Sequence, residues 1–545
     1  MKKIFLAFLL ITAMMTFAQQ DNFEISKSLS IYNNVFRELN MNYVDEIDAS
    51  ELNTVAIDAM LDQLDPYTVF IKESEIEDYR MMTTGEYGGI GAIIRLEGDY
   101  VHISEPYEGF PAHKAGLIAG DKILSINGID TKGKNTQEVS ELLKGQAGTT
   151  LEIVVSRYGE KNPITKTLTR EKVKIDNIPY YGVFDNNIGY IALGQFTKNA
   201  ATELKTAFLE MKQQTDLKGL IIDLRGNGGG LLKEAVDIVN IFVPKDKLVV
   251  YTKGKNVQQN SQHRTEFEPV DTEIPLVILV NGGSASASEI VAGSIQDFDR
   301  GVILGQRTFG KGLVQNILQM SYNTQIKVTV AKYYIPSNRC IQEIDYSKNK
   351  KKTTDSIAAD TLGQRFTTAN GRVVYEGHGI KPDVEVKINQ MSILTIMLYN
   401  KDMFAKFADK FFYEHKKITS ADKFAIDDKL YQEFIDFVKE QGFTYTNESE
   451  RILSELKKTV KREGNETMLS DEIDLMEKEL ANAKADDFNK SRKDIVEMLR
   501  MEIVSRYYFQ KGKIVTSFTD DEELHEAFNI ILDTERYNEI LGRNK

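Results

Sequence analysis

Two short apolar runs, Gly219-Leu220-Ile221-Ile222-Asp223-Leu224 and Pro275-Leu276-Val277-Ile278-Leu279-Val280, constrain the fold most tightly. Neither alternates polar with apolar residues, so each reads as a strand buried on both faces. Helical patterns follow them, from Leu231 to Phe242 and through Ile290 to Phe298. A further strand at Gly189–Leu193 and a helix at Ala201–Lys212 continue the alternation. Strands sandwiched between helices make the segment 176–388 an α/β core.

At about 150 residues per domain, the 545-residue chain has room for three or four domains. Residues 23–82 read as helical until Leu64-Asp65-Pro66 breaks the pattern. Residues 83–172 change to short strands and turns. They include the glycine-rich loop Gly85–Ala92, a small helix at Pro111–Leu117, the turn Ile126-Asn127-Gly128 and a helix at Thr136–Leu143. Beyond the core, residues 390–545 are rich in Lys, Glu, Asp and Leu at helical spacing. Phe404, Phe407, Phe411 and Phe412 read there as core or interface residues. Residues 342–375 form a long insertion whose cluster Lys348-Asn349-Lys350-Lys351-Lys352 reads as an exposed loop.

Residues 1–18 have the layout of a signal peptide. Lys2 and Lys3 precede an apolar run, with Thr16 and Ala18 before a predicted cut at Gln19. The run is short for a span of about 20 residues. The mature protein is therefore expected outside the cytoplasm, in the periplasm, with no stable membrane span. A formal net charge of −13 argues against nucleic acid as a partner. The single cysteine, Cys340, rules out an internal disulfide and any Cys-rich zinc site. The six histidines show no ligand-pair spacing, so a metal site is not expected, and no organic cofactor is implied.

Three segments carry chemistry. Asp223-Leu224-Arg225-Gly226-Asn227-Gly228-Gly229-Gly230 joins a buried strand to a helix, where outward N–H groups and a helix N-terminus favour a negative oxygen. Asn281-Gly282-Gly283-Ser284-Ala285-Ser286-Ala287-Ser288-Glu289 sits at a second such junction, where small residues permit a sharp turn presenting a serine. Thr308-Phe309-Gly310-Lys311-Gly312-Leu313-Val314-Gln315 sets a lysine between glycines. A lysine held out of water can serve as a base toward a serine. Taken singly, each suits an ordinary turn, helix cap or hairpin loop equally well. Residue pattern leaves Ser284, Ser286 and Ser288 open as the nucleophile.

Together, and with Ile188-Gly189-Tyr190-Ile191 and Tyr334-Ile335-Pro336-Ser337, these segments resemble the carboxy-terminal processing (tail-specific) proteases. The resemblance runs from about Leu64 to Val386. It implies a crotonase/ClpP-like α/β protease core, an inserted PDZ-like β-rich domain, and helical N- and C-terminal regions. It places the nucleophile on Ser286, the general base on Lys311 and a third member on Gln315. The oxyanion donors fall on the N–H groups of Gly229 and Ala287. In the PDZ-like domain, Gly89-Ile90-Gly91-Ala92 is the expected carboxylate-binding loop for a protein tail, which would add a strand to the domain edge. The chain departs from the family at Lys144, where arginine is frequent, so a fork-like hydrogen bond is lost there.

The expected function is thus an exported serine endopeptidase whose partners are proteins or peptides with exposed C-terminal tails. The C-terminal helices are a candidate surface for self-association or an adaptor. A non-catalytic PDZ adaptor would need Ser286 or Lys311 to be missing, and both are present. A crotonase-type thioester enzyme would leave the PDZ-like domain without a purpose.

Overall fold

A strand whose side chains are apolar on both faces is stable only when both faces are covered, and the core sheet meets this condition. In the computed structural model, which describes residues 2–344, 346, 363–387 and 391–543, six strands lie side by side. Their order is Tyr180–Val183, Ile188–Ala192, Gly219–Asp223, Leu276–Val280, Val302–Gly305 and Val384–Glu385. The first pair is antiparallel and the remaining pairs are parallel. Alternate side chains enter two separate cores. Ile191, Leu220, Ile222, Ile278 and Val280 pack with the helices Ala200–Gln214, Leu232–Phe242 and Ala287–Asp297. Tyr190, Ile221, Val277, Leu279 and Leu304 face Leu524, Ala527, Ile530, Ile531 and Tyr537 on the helices Glu522–Leu532 and Thr534–Ile540. Each such aliphatic side chain removed from water contributes roughly 1.5–3 kcal/mol. The carboxyl ends of the three central parallel strands deliver the loops that follow Asp223, Val280 and Gly305 to one edge of the sheet, the usual place for a ligand in such a fold.

The strand-rich insertion forms its own sheet, ordered Ala92–Glu97, Tyr100–Pro106, Lys122–Ile126, Thr150–Ser156 and Ile164–Thr169. It closes over Val101, Ile103, Ile123, Ile126, Val139, Leu143 and Ile153. The helix Thr136–Leu143 starts at a reciprocal cap between Asn135 and Glu138. Half of the glycine-rich stretch read as a loop is strand: Glu86–Gly89 pairs antiparallel with Glu171–Lys174. Sequence periodicity gives no sign of this, because the pairing partner lies at the far end of the insertion. The ribbon brings entry and exit side by side, which is how a whole domain fits into another.

The C-terminal helices from Ile393 to Ser517 enclose a further core in which Phe404, Phe407 and Phe411 are buried. Phe412 meets the Tyr507 ring at 4.9 Å. The chain then returns to the protease sheet through Glu522–Leu532 and Thr534–Ile540.

All of this belongs to one of two units, Ser74–Val314, Val330–Asp345 and Thr353–Lys545. The other comprises Met1–Glu73, Gln315–Thr329 and Tyr346–Lys352. In it, Lys2–Asn42 is one helix, of which the expected signal segment forms the start. A second helix, Ala49–Leu61, is capped by Asp48, and Val69–Ile71 pairs antiparallel with Gln325–Lys327. The lysine cluster and half of the 342–375 insertion lie outside the described residues.

Leu524 is fully buried against the sheet. Leu524→Ala is expected to cost about 2–5 kcal/mol of stability in urea unfolding of the full chain.

Candidate active site

The helix Ala287–Asp297 begins directly after Ser286, whose backbone sits at φ 55°, ψ −110°. A positive φ is rare outside glycine and costs on the order of 1–3 kcal/mol. The strain turns the chain sharply from the strand Leu276–Val280 into the helix and leaves Ser286 half-buried at the bend. The neighbouring serines are committed elsewhere. The Ser284 hydroxyl donates to the Leu224 carbonyl at 2.7 Å, and the Ser288 hydroxyl donates to the Asn227 carbonyl at 2.8 Å, both in the interior. Ala287 occupies the first helical position, where an N–H has no carbonyl one turn earlier to bond and carries the positive end of the helix dipole.

The loop 224–230 is stitched to this bend. The Asn227 carbonyl accepts the Ala285 N–H at 3.0 Å, and its side-chain amide donates to the Leu193 carbonyl at 2.6 Å. Asn281 Oδ1 accepts the N–H groups of Gly226 and Gly283, each at 2.9 Å. Gly229 has φ +98°, and a Cβ there would lie 2.8 Å from the Cβ of Ser286. Only glycine fits so close to the serine. Its N–H donates to Asn227 Oδ1 at 2.9 Å in this arrangement.

The residue that joins the serine bend to the lysine loop is Glu289, on the first turn of the helix and 0% exposed. Its two carboxylate oxygens accept four hydrogen bonds: from Ser286 N–H (2.8 Å), Lys311 N–H (2.9 Å), Gly310 N–H (2.7 Å) and the Thr308 hydroxyl (2.6 Å). Burial pushes its carboxyl up to about 7, and the four donors oppose that shift. Tyr333, also buried, adds a second strut. Its hydroxyl lies 2.7 Å from the Lys311 carbonyl and 3.2 Å from that of Ser286, donating its single proton between them. Lys311 is half-buried, whereas the adjacent Phe309 is 49% exposed, so that ring is no wall around the lysine. The backbones of Ser286 and Lys311 are thus fixed to common side chains.

Neither Glu289 nor Tyr333 was among the residues singled out from sequence. A signal for Glu289 existed: Ser286-Ala287-Ser288-Glu289 has the Ser-x-x-Glu spacing of a helix-start box. Tyr333 gave none.

Gln315 belongs to the other unit. There its amide donates to the Thr329 hydroxyl at 3.2 Å, which donates in turn to Asp65 at 3.1 Å. In the PDZ-like domain, the Ile90 carbonyl accepts the Ala112 N–H and the Gly91 carbonyl accepts the Tyr107 N–H, at 2.8 and 2.9 Å. Gly91 takes φ +69°, and Gly89 closes the ribbon strand before Ala92 opens the next. Lys144 sits 5.8 Å from the Tyr87 ring centroid. Nearby, Arg170 donates to the Leu142 and Leu143 carbonyls, closing the end of the Thr136–Leu143 helix.

An α/β core with a strained serine on a strand-to-helix bend and a PDZ-like domain is similar in sequence to known peptidases. The chain matches Peptidase family S41 over residues 187–351, a PDZ domain over 102–157, and the C-terminal helical domain of probable PDZ-proteases over 394–531. It is 34% identical over 366 residues to a carboxy-terminal-processing protease of Bartonella bacilliformis, covering 67% of this chain and 82% of the relative. It is 37% identical over 297 residues to a carboxyl-terminal-processing protease of Synechocystis sp., covering 53% and 68%. A solved photosystem II D1 C-terminal processing protease is 28% identical, with 66% of this chain and 93% of that chain covered and a TM-score of 0.36. The chain belongs to the carboxy-terminal-processing protease family, serine-type peptidases that carry a PDZ domain. Among the described residues, no helix is long and apolar enough to cross a membrane.

Glu289→Gln sets amide protons against N–H donors and is expected to lower turnover at least about tenfold and stability by about 1–3 kcal/mol, read by denaturant unfolding. Because the folded carboxyl titrates near 7 and its ordinary value is 4.5, the folded state holds the proton more tightly. The stability contribution of Glu289 therefore falls as pH rises through this window and is flat above it. The Gln variant is expected to lack that slope. Tyr333→Phe removes one strut and is expected to reduce kcat several-fold with little loss of stability, checked by steady-state kinetics and thermal melting.

Proposed function

We propose that this chain is an exported endopeptidase that captures the C-terminal tails of other proteins in its PDZ domain and cleaves them with Ser286 as nucleophile and Lys311 as base. The observation that carries this reading is the Ser286 bend, tied through Glu289 and Tyr333 to the backbone of Lys311. Export, with the periplasm as destination, rests on the amino-terminal sequence of residues 1–18.

In the reaction, the Lys311 amine takes the Ser286 hydroxyl proton as the Ser286 oxygen attacks the scissile carbonyl. Negative charge moves to the carbonyl oxygen. It is stabilised by the Ala287 N–H at the positive end of the helix and by the Gly229 N–H once that donor leaves Asn227. The Lys311 ammonium then protonates the departing amine, leaving an ester on Ser286. Water attacks the ester with Lys311 again taking a proton, and Ser286 is regenerated with the product acid. Gln315 is the third member by its place in the motif. Tail capture uses the backbone donors of Gly89, Ile90, Gly91 and Ala92 for the terminal carboxylate, with the tail paired along the strand Ala92–Glu97.

Ser286→Ala and Lys311→Ala are each expected to abolish cleavage of an unfolded protein with an apolar C-terminal tail, followed by mass spectrometry. Thermal melting and tail-peptide binding should stay at wild-type levels. Turnover by either variant contradicts the assignment, and tail binding by a wild type that never cleaves favours an adaptor.

A further inference from the structure

The loop that carries Gly229 is rooted by Arg225. The root is not held by the protease core alone. Arg225 uses its entire guanidinium fork. Nε lies 3.0 Å from both carboxylate oxygens of Asp223, and one terminal nitrogen reaches Asp223 Oδ2 at 2.6 Å and Asp521 Oδ2 at 2.7 Å. The other reaches Asp521 Oδ1 at 3.0 Å and Glu523 Oε2 at 2.7 Å. Asp521 also caps the last long helix by accepting the Leu524 N–H at 2.9 Å. These carboxylates are nearly shut off from water, with side-chain exposures of 10% for Asp223, 9% for Asp521 and 2% for Glu523. Glu523 Oε1 is buried without a hydrogen-bond partner, and a Cβ on Gly305 would lie 3.1 Å from it.

Three carboxyl groups crowd one guanidinium in a dry place, and burial raises the Glu523 carboxyl, a costly arrangement if its purpose were stability alone. Its geometry suits positioning. Gly226, Gly229 and Gly230 all take positive φ, so the loop backbone imposes little of its own shape. Side chains define it instead: Asn227 and Ser288 in the middle, Asn281 at Gly226 and Ser284 at Leu224 from the serine bend, and Arg225 at the root. We propose that Asp521 and Glu523 are positioning residues for catalysis. By holding the Arg225 fork from the C-terminal helix, they fix the loop that sets Gly229 against Ser286. The helix Glu522–Leu532 is then a working part of the protease core, although the chain reaches it only after the whole helical region. The proposal rests on Ser286 being the nucleophile.

Asp521→Asn with Glu523→Gln, made together in the full chain, keeps side-chain shape and leaves the Asp223–Arg225 pair in place, so the fold is expected to survive. The expected result is a fall in kcat of about tenfold or more with KM and tail-peptide affinity within about twofold. Amide hydrogen exchange of residues 225–230 should accelerate at least about tenfold while exchange in the strand Leu276–Val280 stays unchanged. Unchanged kcat with unchanged loop exchange overturns the proposal. So does a loss of kcat that merely tracks a lowered melting temperature and faster exchange throughout the sheet. If the wild type itself cleaves nothing, it is the reading of Ser286 that fails. Loop exchange, which needs no turnover, then still decides whether Asp521 and Glu523 hold the loop.

Discussion

A carboxylate in a fully buried position is tolerable only if its lost water is replaced by donors, and Glu289 finds four. Desolvation of such a group costs several kcal/mol. Hydrogen bonds to a charged acceptor return roughly 1.5–3 kcal/mol each. The donors come from the serine bend on one side and from Thr308, Gly310 and Lys311 on the other. No rearrangement of either loop can keep all four bonds, so satisfying Glu289 and holding the bend against the lysine loop are the same physical requirement. The strain stored at Ser286 persists because this network and the Tyr333 strut over-determine it.

The sheet supplies the frame. Parallel neighbours place the carboxyl ends of three consecutive strands together, so loops far apart in sequence converge without long excursions. Covering both faces of that sheet requires helices from both sides. One face is covered by helices within the core and the other by the last two helices of the chain. This division explains why a segment ending in Leu541 bears on a loop near residue 225. The same helix that buries Leu524 against the sheet offers Asp521 and Glu523 to Arg225.

The features visible in sequence were those that leave a local signature. The uninterrupted runs at 219–224 and 275–280 announced a two-sided sheet. The small residues around Ser286 announced a bend, and the Lys, Glu and Leu spacing after 390 announced helices. Periodicity could not rank Ser284, Ser286 and Ser288, since all three share the same local chemistry. They differ in which hydroxyls meet interior carbonyls and in the positive φ of Ser286, neither of which local pattern encodes. Tyr333 and Asp521 were illegible for a related reason: each acts through a partner contributed by a distant part of the chain. The strand Glu86–Gly89 was hidden because two of its four residues are glycine and its partner lies beyond an entire domain.

A covalent bond at one residue is the most direct mark of this mechanism. Incubating the full chain with an activated ester of a short apolar peptide and quenching in acid allows the acyl group to be located by peptide mapping. The expected result is a single adduct on Ser286, lost in Ser286→Ala and accumulating only slowly in Lys311→Ala. Ester hydrolysis at wild-type rate by Ser286→Ala, or an adduct on another residue, would contradict it.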